Sequence, residues 1–359
     1  MTHIVDTTDE LTPQWFTQVL RTSGALGAQD AVGSVDARVI GTGQAGFVAR
    51  AQLGYAGGAA GPASLIVKLP SADASSRQMG AAMGIYESEV RFYQQVAPRL
   101  SAAIPAIYWG DVEPDSGRFT LVLEDLQATS DVGDMVGGGT LTQAELAIGA
   151  LPGLQAPIWN DPGLAELPWA GLARTELLFA AVEPLIEAFV ARFHNRVDPT
   201  HLELAKRLAP AAAGSARRLW GPPFVIAHGD YRLDNMMFAR LGGAPPVLVI
   251  DWQGARLGPP LLDVAIYLGS CLGVDERRAH QDRLLHLYHD GLRAAGVDDF
   301  SFAQCQDSYR VSSLYPFLLT IAVSMTLQQT ERGDQMWAQM FTNSASIVAD
   351  TGADALLLS

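Results

Sequence analysis

Two polar islands follow apolar runs in the sequence: "HGDYRLDNMMF" (His228 to Phe238) after "FVIA", and "VIDWQGA" (Val249 to Ala255) at the end of "VLVI". Acidic and amide side chains seldom close buried strands without a task. Asn235 lies five residues after Asp230, and Asp251 sixteen residues after Asn235. Phosphoryl transfer needs a carboxylate to orient and deprotonate an attacking hydroxyl, and oxygen ligands for the Mg2+ ions that neutralise a triphosphate. Asp230 as the base, Asn235 with its neutral carbonyl oxygen and Asp251 as a metal-bridging carboxylate meet that need. The competing reading, three independent turn caps, does not account for their order and spacing. His228 has no His or Cys nearby at ligand spacing, so it is read as scaffolding that hydrogen-bonds the loop. Arg232 and Asp234 are read as a solvated pair, and His286 and His289 as an exposed helix surface.

A second constellation lies upstream. Lys68 sits inside the apolar segment "SLIVKLP", where an ammonium is costly to bury without an anionic partner. A strand-borne lysine can hold the α- and β-phosphates of ATP if a helical glutamate fixes it. "YESEVRFYQQV" offers Glu87 and Glu89, and Glu89 is preferred because it stands three and four residues before Phe92 and Tyr93 on the expected buried side. The alternative is an edge-strand lysine whose ammonium reaches water. Further upstream, "GTGQAG" (Gly41, Gly43, Gly46) has GxGxxG spacing, but the next segment, "FVARAQL", alternates like a strand and opens no helix. That disfavours a dinucleotide-binding turn and suits a hairpin flap whose backbone N–H groups cover phosphates, a plain hairpin being the alternative.

The surrounding secondary structure falls into two groups. A short helix is expected at "LTPQWFTQVLRT", with Thr12 as N-cap, Pro13 at the first position, and Trp15, Phe16, Val19 and Leu20 on one face. Strand patterns come next at "ARVIG", "GFVARAQLGY" and "ASLIVKLP", a helical pattern from Met79 to Val96, then strands at "IPAIYWGDV" and "RFTLVLEDL". Beyond Leu126 the pattern becomes helical, with Thr140 or Thr142 able to cap a helix at "QAELAIGAL" and the polar islands as the main interruption. The expectation is an α+β fold of two lobes: residues 1–126 as a β-rich N-lobe and 127–359 as a larger helical C-lobe carrying catalytic loop, metal site and acceptor region.

Composition narrows the function classes. A net charge of −14 argues against a nucleic-acid partner, and 48% hydrophobic residues argue for a large core. Only Cys271 and Cys305 occur, without a CxxC pair, and the first residues lack the pattern of a signal peptide, so a cytoplasmic location is expected. The most apolar stretch, "LYPFLLTIAVSM", is too short for a bilayer and reads as a buried helix, so no membrane partner is expected. No GxSxG elbow occurs.

Taken together, "HGDYRLDN", "IDWQGARLGPPLLDVA", "LIVKLP" and "LVLEDL" resemble the aminoglycoside phosphotransferase and choline kinase superfamily, from about Gly41 to Leu268. "LVLEDL" and "ESEVRFY" are most similar to its ecdysteroid-kinase-like branch, whose bacterial members are mostly small-molecule phosphotransferases. The resemblance implies a protein-kinase-like fold, with ATP and Mg2+ as cofactors. It implies Asp230 as catalytic base, Asn235 and Asp251 as Mg2+ ligands, Lys68 on the phosphates and Glu89 orienting Lys68. "LEDL" would be the hinge, backbone groups of Glu124 and Leu126 pairing with adenine, and Asp263 would support the catalytic loop.

Gly229 stands where protein kinases carry arginine, and only eleven residues separate Asp251 from Asp263, which leaves no room for a long activation segment. A small-molecule alcohol acceptor is therefore expected, for a monomer or homodimer. An aminoglycoside-type antibiotic phosphotransferase and a non-catalytic pseudokinase scaffold are the alternatives. Trp159, Trp169, Phe179, Tyr315, Phe317 and Trp337 are read as mostly core.

Overall fold

Thr12 starts the first helix as its side chain dictates, its hydroxyl accepting the Trp15 N–H at 3.2 Å with Pro13 at the first helical position. This comes from a computed structural model that describes residues 2–42, 46–100, 104–243 and 245–359; Gly43 of the glycine loop lies outside them. The chain forms two units, Met1–Pro98 with Ile104–Ser130, and Arg99–Ala103 with Asp131–Ser359.

The first unit is a five-stranded antiparallel sheet in the order β1-β2-β3-β5-β4: β1 (Val32–Thr42), β2 (Gly46–Tyr55), β3 (Ser64–Pro70), β4 (Ile107–Glu113) and β5 (Arg118–Glu124). Helix α1 (Pro13–Thr22) buries Trp15, Phe16, Val19 and Leu20 in a core shared with Ala51, Leu65, Val67, Leu69 and Val122 of the sheet. Because strand side chains alternate, the inward Leu65, Val67 and Leu69 put Lys68 on the opposite face of β3.

The helical run after β3 is not continuous. It divides into α2 (Ala74–Ala82) and α3 (Ile85–Arg91), separated by Gly84 at φ 64°, and α3 runs on into one wide π turn over Phe92–Val96. A left-handed residue cannot continue a right-handed helix, so the glycine in "MGIYES" ends one helix and starts the next.

The second unit is mainly helical: α4 (Leu141–Gln155), α5 (Ala173–Ala180), α6 (Val182–Phe193), α7 (Pro199–Leu208), α8 (Ser215–Leu219), α9 (Leu262–Leu268), α10 (Val274–Ala294), α11 (Phe302–Ser312), α12 (Leu314–Ser324), α13 (Glu331–Thr351) and α14 (Asp354–Leu358). Thr140, not Thr142, caps α4, in a capping box with Gln143. Helix α12 is the expected buried apolar helix, and no described helix is long and apolar enough to cross a membrane. Cys271 and Cys305 are buried free thiols.

Short strands interrupt the helices at the two polar islands. β6 (Ser130–Val132), β8 (Met236–Ala239) and β9 (Val247–Val249) form one sheet in the order β6-β8-β9, and β7 (Val225–Ala227) pairs with β10 (Arg256–Gly258).

Candidate active site

The phosphate-binding candidates fall in the first unit. Lys68 Nζ lies 2.6 Å from Glu89 Oε1, both side chains largely buried. Glu89 reaches that position because α3 buries Tyr86, Val90 and, just beyond it, Phe92 and Tyr93. Glu87 points elsewhere and pairs with Arg91 at 3.8 Å. An ammonium this buried holds its charge only beside a carboxylate, so the pair is a prepared cation rather than a snorkelling lysine.

β1 and β2 pair antiparallel on either side of the glycine loop, a strand–loop–strand hairpin and not a strand–helix turn. Gly46 is needed for close packing, since a Cβ there would sit 2.6 Å from the Leu69 carbonyl oxygen; Gly41 faces open space. At the expected hinge, the Glu124 N–H already donates to Ala106 and the Leu126 carbonyl already accepts from Thr129 and Ser130. Those two groups are engaged within the protein.

The catalytic candidates gather in the second unit around the β8–β9 hairpin. Met236 pairs with Val249 in its register, and the Ile250 N–H donates to the Asn235 carbonyl at 2.9 Å. The hairpin thus places Asn235, just before β8, beside the residue preceding Asp251. At the same end Gly229 and Gly254 back onto each other: a Cβ on Gly254 would lie 2.7 Å from the His228 carbonyl oxygen. Two glycines let the two islands touch backbone to backbone.

Asp230 is held from both sides. Arg232 Nε donates to Oδ1 at 2.9 Å and Asn235 Nδ2 to Oδ2 at 2.8 Å, while Nδ2 also reaches the Asp230 carbonyl at 2.8 Å. With its nitrogen so committed, Asn235 turns its amide oxygen to other uses. Arg232 also donates to Asp234, so it bridges two carboxylates and is no solvated partner. Burial opposes its charge, yet Asp230, Asp234 and Asp251 around it raise its pKa above the usual arginine value.

Asp263 braces the loop from below, its carboxylate accepting the N–H groups of His228 at 2.8 Å and Gly229 at 3.0 Å. Burial raises its pKa against the opposing pull of His228, those two N–H groups and Arg256. His228 is fully buried: Nδ1 accepts the Asp230 N–H at 3.2 Å and Nε2 faces the Ile250 carbonyl at 2.9 Å. That pattern suits the tautomer with its proton on Nε2, and it spends both nitrogens on tying the islands together.

Three further features differ from the sequence expectation or were absent from it. Arg232 is one. The second is a largely buried pair at the hinge, where Asp125 accepts from Arg50 Nε at 2.6 Å and from Ser64 at 2.7 Å. Burial works to raise the Asp125 pKa, but Arg50, Ser64 and the Gln127 N–H hold it below the ordinary value. The third is His289, which is buried with Nε2 on the Phe300 carbonyl at 2.8 Å, while His286 stacks on Phe302. Phe300 and Phe302 lie beyond the helix, so helical spacing alone could not reveal that cover.

Asn235 and Asp251 suit Mg2+ in donor chemistry: an amide oxygen not engaged by the described residues and a carboxylate, both hard. No cluster of three His, Cys, Asp or Glu side chains with metal-holding geometry occurs among the described residues. Asp251 sits at φ 66°, ψ 64°, a left-handed conformation that costs an L-residue on the order of 1 kcal/mol. Asp251→Gly is therefore expected to change the unfolding free energy by no more than about 1 kcal/mol, relief of the left-handed backbone offsetting the lost attraction to Arg232, while turnover is lost. Urea denaturation beside a kinetic assay checks this; a large loss of stability would mean the carboxylate holds the fold.

Known proteins resemble this chain in family and in fold. The Phosphotransferase enzyme family profile matches residues 55–297. An uncharacterized kinase-like protein of Caenorhabditis elegans is 32% identical over 91 residues, which is 25% of this chain and 24% of that protein, so the match spans about a quarter of the relative's length. Among solved structures, choline kinase from Cryptosporidium parvum superposes with a TM-score of 0.53 at 11% identity, covering 96% of this chain and 99% of that one. The streptomycin–ATP–APH(2″)-IIa ternary complex gives 0.51 at 15% identity, covering 94% and 99%. The fold is thus protein-kinase-like, with a β-rich N-terminal unit and a larger helical C-terminal one.

Proposed function

The chain belongs to the phosphotransferase enzyme family, and from that premise we propose that it is an ATP- and Mg2+-dependent O-phosphotransferase acting on a hydroxyl of a small molecule. The observation that carries this reading is the Asp230 carboxylate, fixed by Arg232 at 2.9 Å and by Asn235 at 2.8 Å. A base so oriented accepts the proton of an incoming hydroxyl without having to find its rotamer first. Asn235 Oδ1 and Asp251 would hold Mg2+, which supplies charge neutralisation on the triphosphate. Lys68, fixed by Glu89, would hold the α- and β-phosphates, and backbone groups of Glu124 and Leu126 would meet the adenine. The ATP-bound neighbour of like fold supports the choice of nucleotide.

The eleven residues between Asp251 and Asp263, spanned by one short turn and β10, favour a small acceptor over a protein. The test is release of ADP from ATP and Mg2+ that depends on a hydroxylated compound, with the phosphorylated product seen by mass spectrometry. Release with no compound phosphorylated would count against the reading. Lys68→Met is expected to raise the KM for ATP by about 10- to 100-fold, the worth of a charged hydrogen bond, and Glu89→Gln by less. An unchanged KM in Lys68→Met would remove Lys68 from the phosphate site.

A further inference from the structure

A groove of about 440 Å³ runs along α13, lined by Arg196, Gln335, Ala338, Gln339, Thr342 and Asn343. Resting on the phosphotransferase reading above, we infer that this groove holds the acceptor, and that the acceptor is a neutral, polyhydroxylated small molecule.

Its place points to the acceptor. Met336, next to Gln335 on α13, meets Arg232 Nη1 with its sulfur at 3.4 Å, and Arg232 Nε holds Asp230 Oδ1 at 2.9 Å. Gln339 lies within one further helical turn, roughly 5 Å along the axis. The groove thus lies on the helix whose Met336 packs against Arg232, the side chain that fixes the carboxylate that would take the proton.

Its lining points to the chemical class. Gln339 Nε2 is committed to the carbonyls of Met135 and Ser270, both at 3.2 Å, and Asn343 Nδ2 to that of Leu272 at 2.9 Å. Each amide is anchored by its nitrogen, which leaves its oxygen as the hydrogen-bonding end. Both residues line the groove, so these oxygens can accept hydrogen bonds from a ligand there. Thr342 and Gln335 add a hydroxyl and a third amide. Such a set accepts hydrogen bonds from hydroxyl groups.

Charge excludes the main alternatives. The only ionised lining residue is Arg196, and both of its terminal nitrogens already meet Glu331, at 3.0 and 2.8 Å. A polycationic aminoglycoside or a quaternary amine would want carboxylates or aromatic faces on the walls, and the lining offers neither. An anionic acceptor would have to compete with Glu331 for one guanidinium.

The experiment offers three sets of compounds with ATP and Mg2+: neutral hexoses, nucleosides and polyols; cationic streptomycin and choline; and sugar carboxylates and phosphates. Each is run on the wild type and on a Gln335→Ala/Thr342→Val variant whose fold is checked by thermal unfolding. Stimulated ADP release is expected from a member of the neutral set, with its KM raised about 10-fold or more in the variant and the KM for ATP within about twofold. Stimulation confined to a charged set, or a neutral-acceptor KM that the variant does not move, overturns the inference and leaves the phosphotransferase reading intact. If no compound is phosphorylated, saturation-transfer NMR with the neutral set decides separately. Binding that the variant abolishes upholds the groove while the phosphotransferase reading fails, and absence of binding overturns the groove as well.

Discussion

Asp230→Asn is expected to lower kcat by about 10²- to 10⁴-fold, the usual worth of a positioned general base. The substitution does more than remove a basic oxygen. Both carboxylate oxygens accept hydrogen bonds, one from Arg232 Nε and one from Asn235 Nδ2. An asparagine there has one acceptor and one donor, so its NH2 must face a donor on one side. Arg232 cannot turn around, because its other arm is fixed on Asp234. Asn235 can, by flipping its amide and presenting its oxygen to the side chain of residue 230, at the cost of its hydrogen bond to the carbonyl of that residue. That flip would take away the oxygen assigned to Mg2+, so the Mg2+ concentration needed for half-maximal residual activity should rise as well. Asp230→Ala leaves Asn235 free to keep its orientation, and its Mg2+ requirement should stay nearer the wild type. ATP binding should survive both changes, because Lys68 and Glu89 belong to other elements. Stopped-time assays across Mg2+ concentration, beside calorimetric ATP binding, provide the check. A kcat close to wild type in either variant would remove Asp230 from the base role.

The parts of the site legible in the sequence are those where chemistry and short spacing coincide. Asp230 and Asn235 are five residues apart and joined by a direct hydrogen bond, so their spacing along the chain is also their spacing in space. Lys68 was legible through cost: a lysine between buried Val67 and Leu69 needs an acid, and α3 has one on the face that faces in. What stayed hidden depends on backbone or on distant partners. The left-handed conformation of Asp251 leaves no trace in residue type, since aspartate is common there and elsewhere. Arg232 carries aspartates two residues before and two after, a pattern that also occurs on ordinary solvated loops. Only its contacts with Asp230, Asp234 and Met336 show that it is bound. The break between α2 and α3 did have a signal, the glycine in "MGIYES", but the hydrophobic period continues across it and outweighs one residue.

Gly229→Ala should be the most damaging substitution for the fold relative to its size, at about 3 kcal/mol or more of unfolding free energy. Gly229 has φ +77°, where an L-residue costs on the order of 1–2 kcal/mol. A methyl there also overlaps the Gly254 carbonyl oxygen and comes within 2.9 Å of Arg256 Nε, an overpacking of the kind that costs about 1–3 kcal/mol. The clash cannot relax cheaply. Arg256 Nε holds the Gly254 carbonyl at 2.8 Å, and Asp263 holds the Gly229 N–H at 3.0 Å. On the other side Tyr315 donates to the Gly229 carbonyl at 3.3 Å, with the Arg256 guanidinium 5.3 Å from the centre of its ring. Whatever movement does occur passes straight into Asp230, the next residue, and turnover should fall even in the fraction that stays folded. Gly254→Ala is the control, because its methyl meets the His228 carbonyl across the same junction at 2.7 Å without the left-handed penalty. It should therefore cost less than Gly229→Ala by about the 1–2 kcal/mol of that penalty. Equal losses from the two would mean that overlap alone sets the cost. A loss under about 0.5 kcal/mol in Gly229→Ala would mean that the junction yields, and that Asp230 is not held by the contact between the two islands.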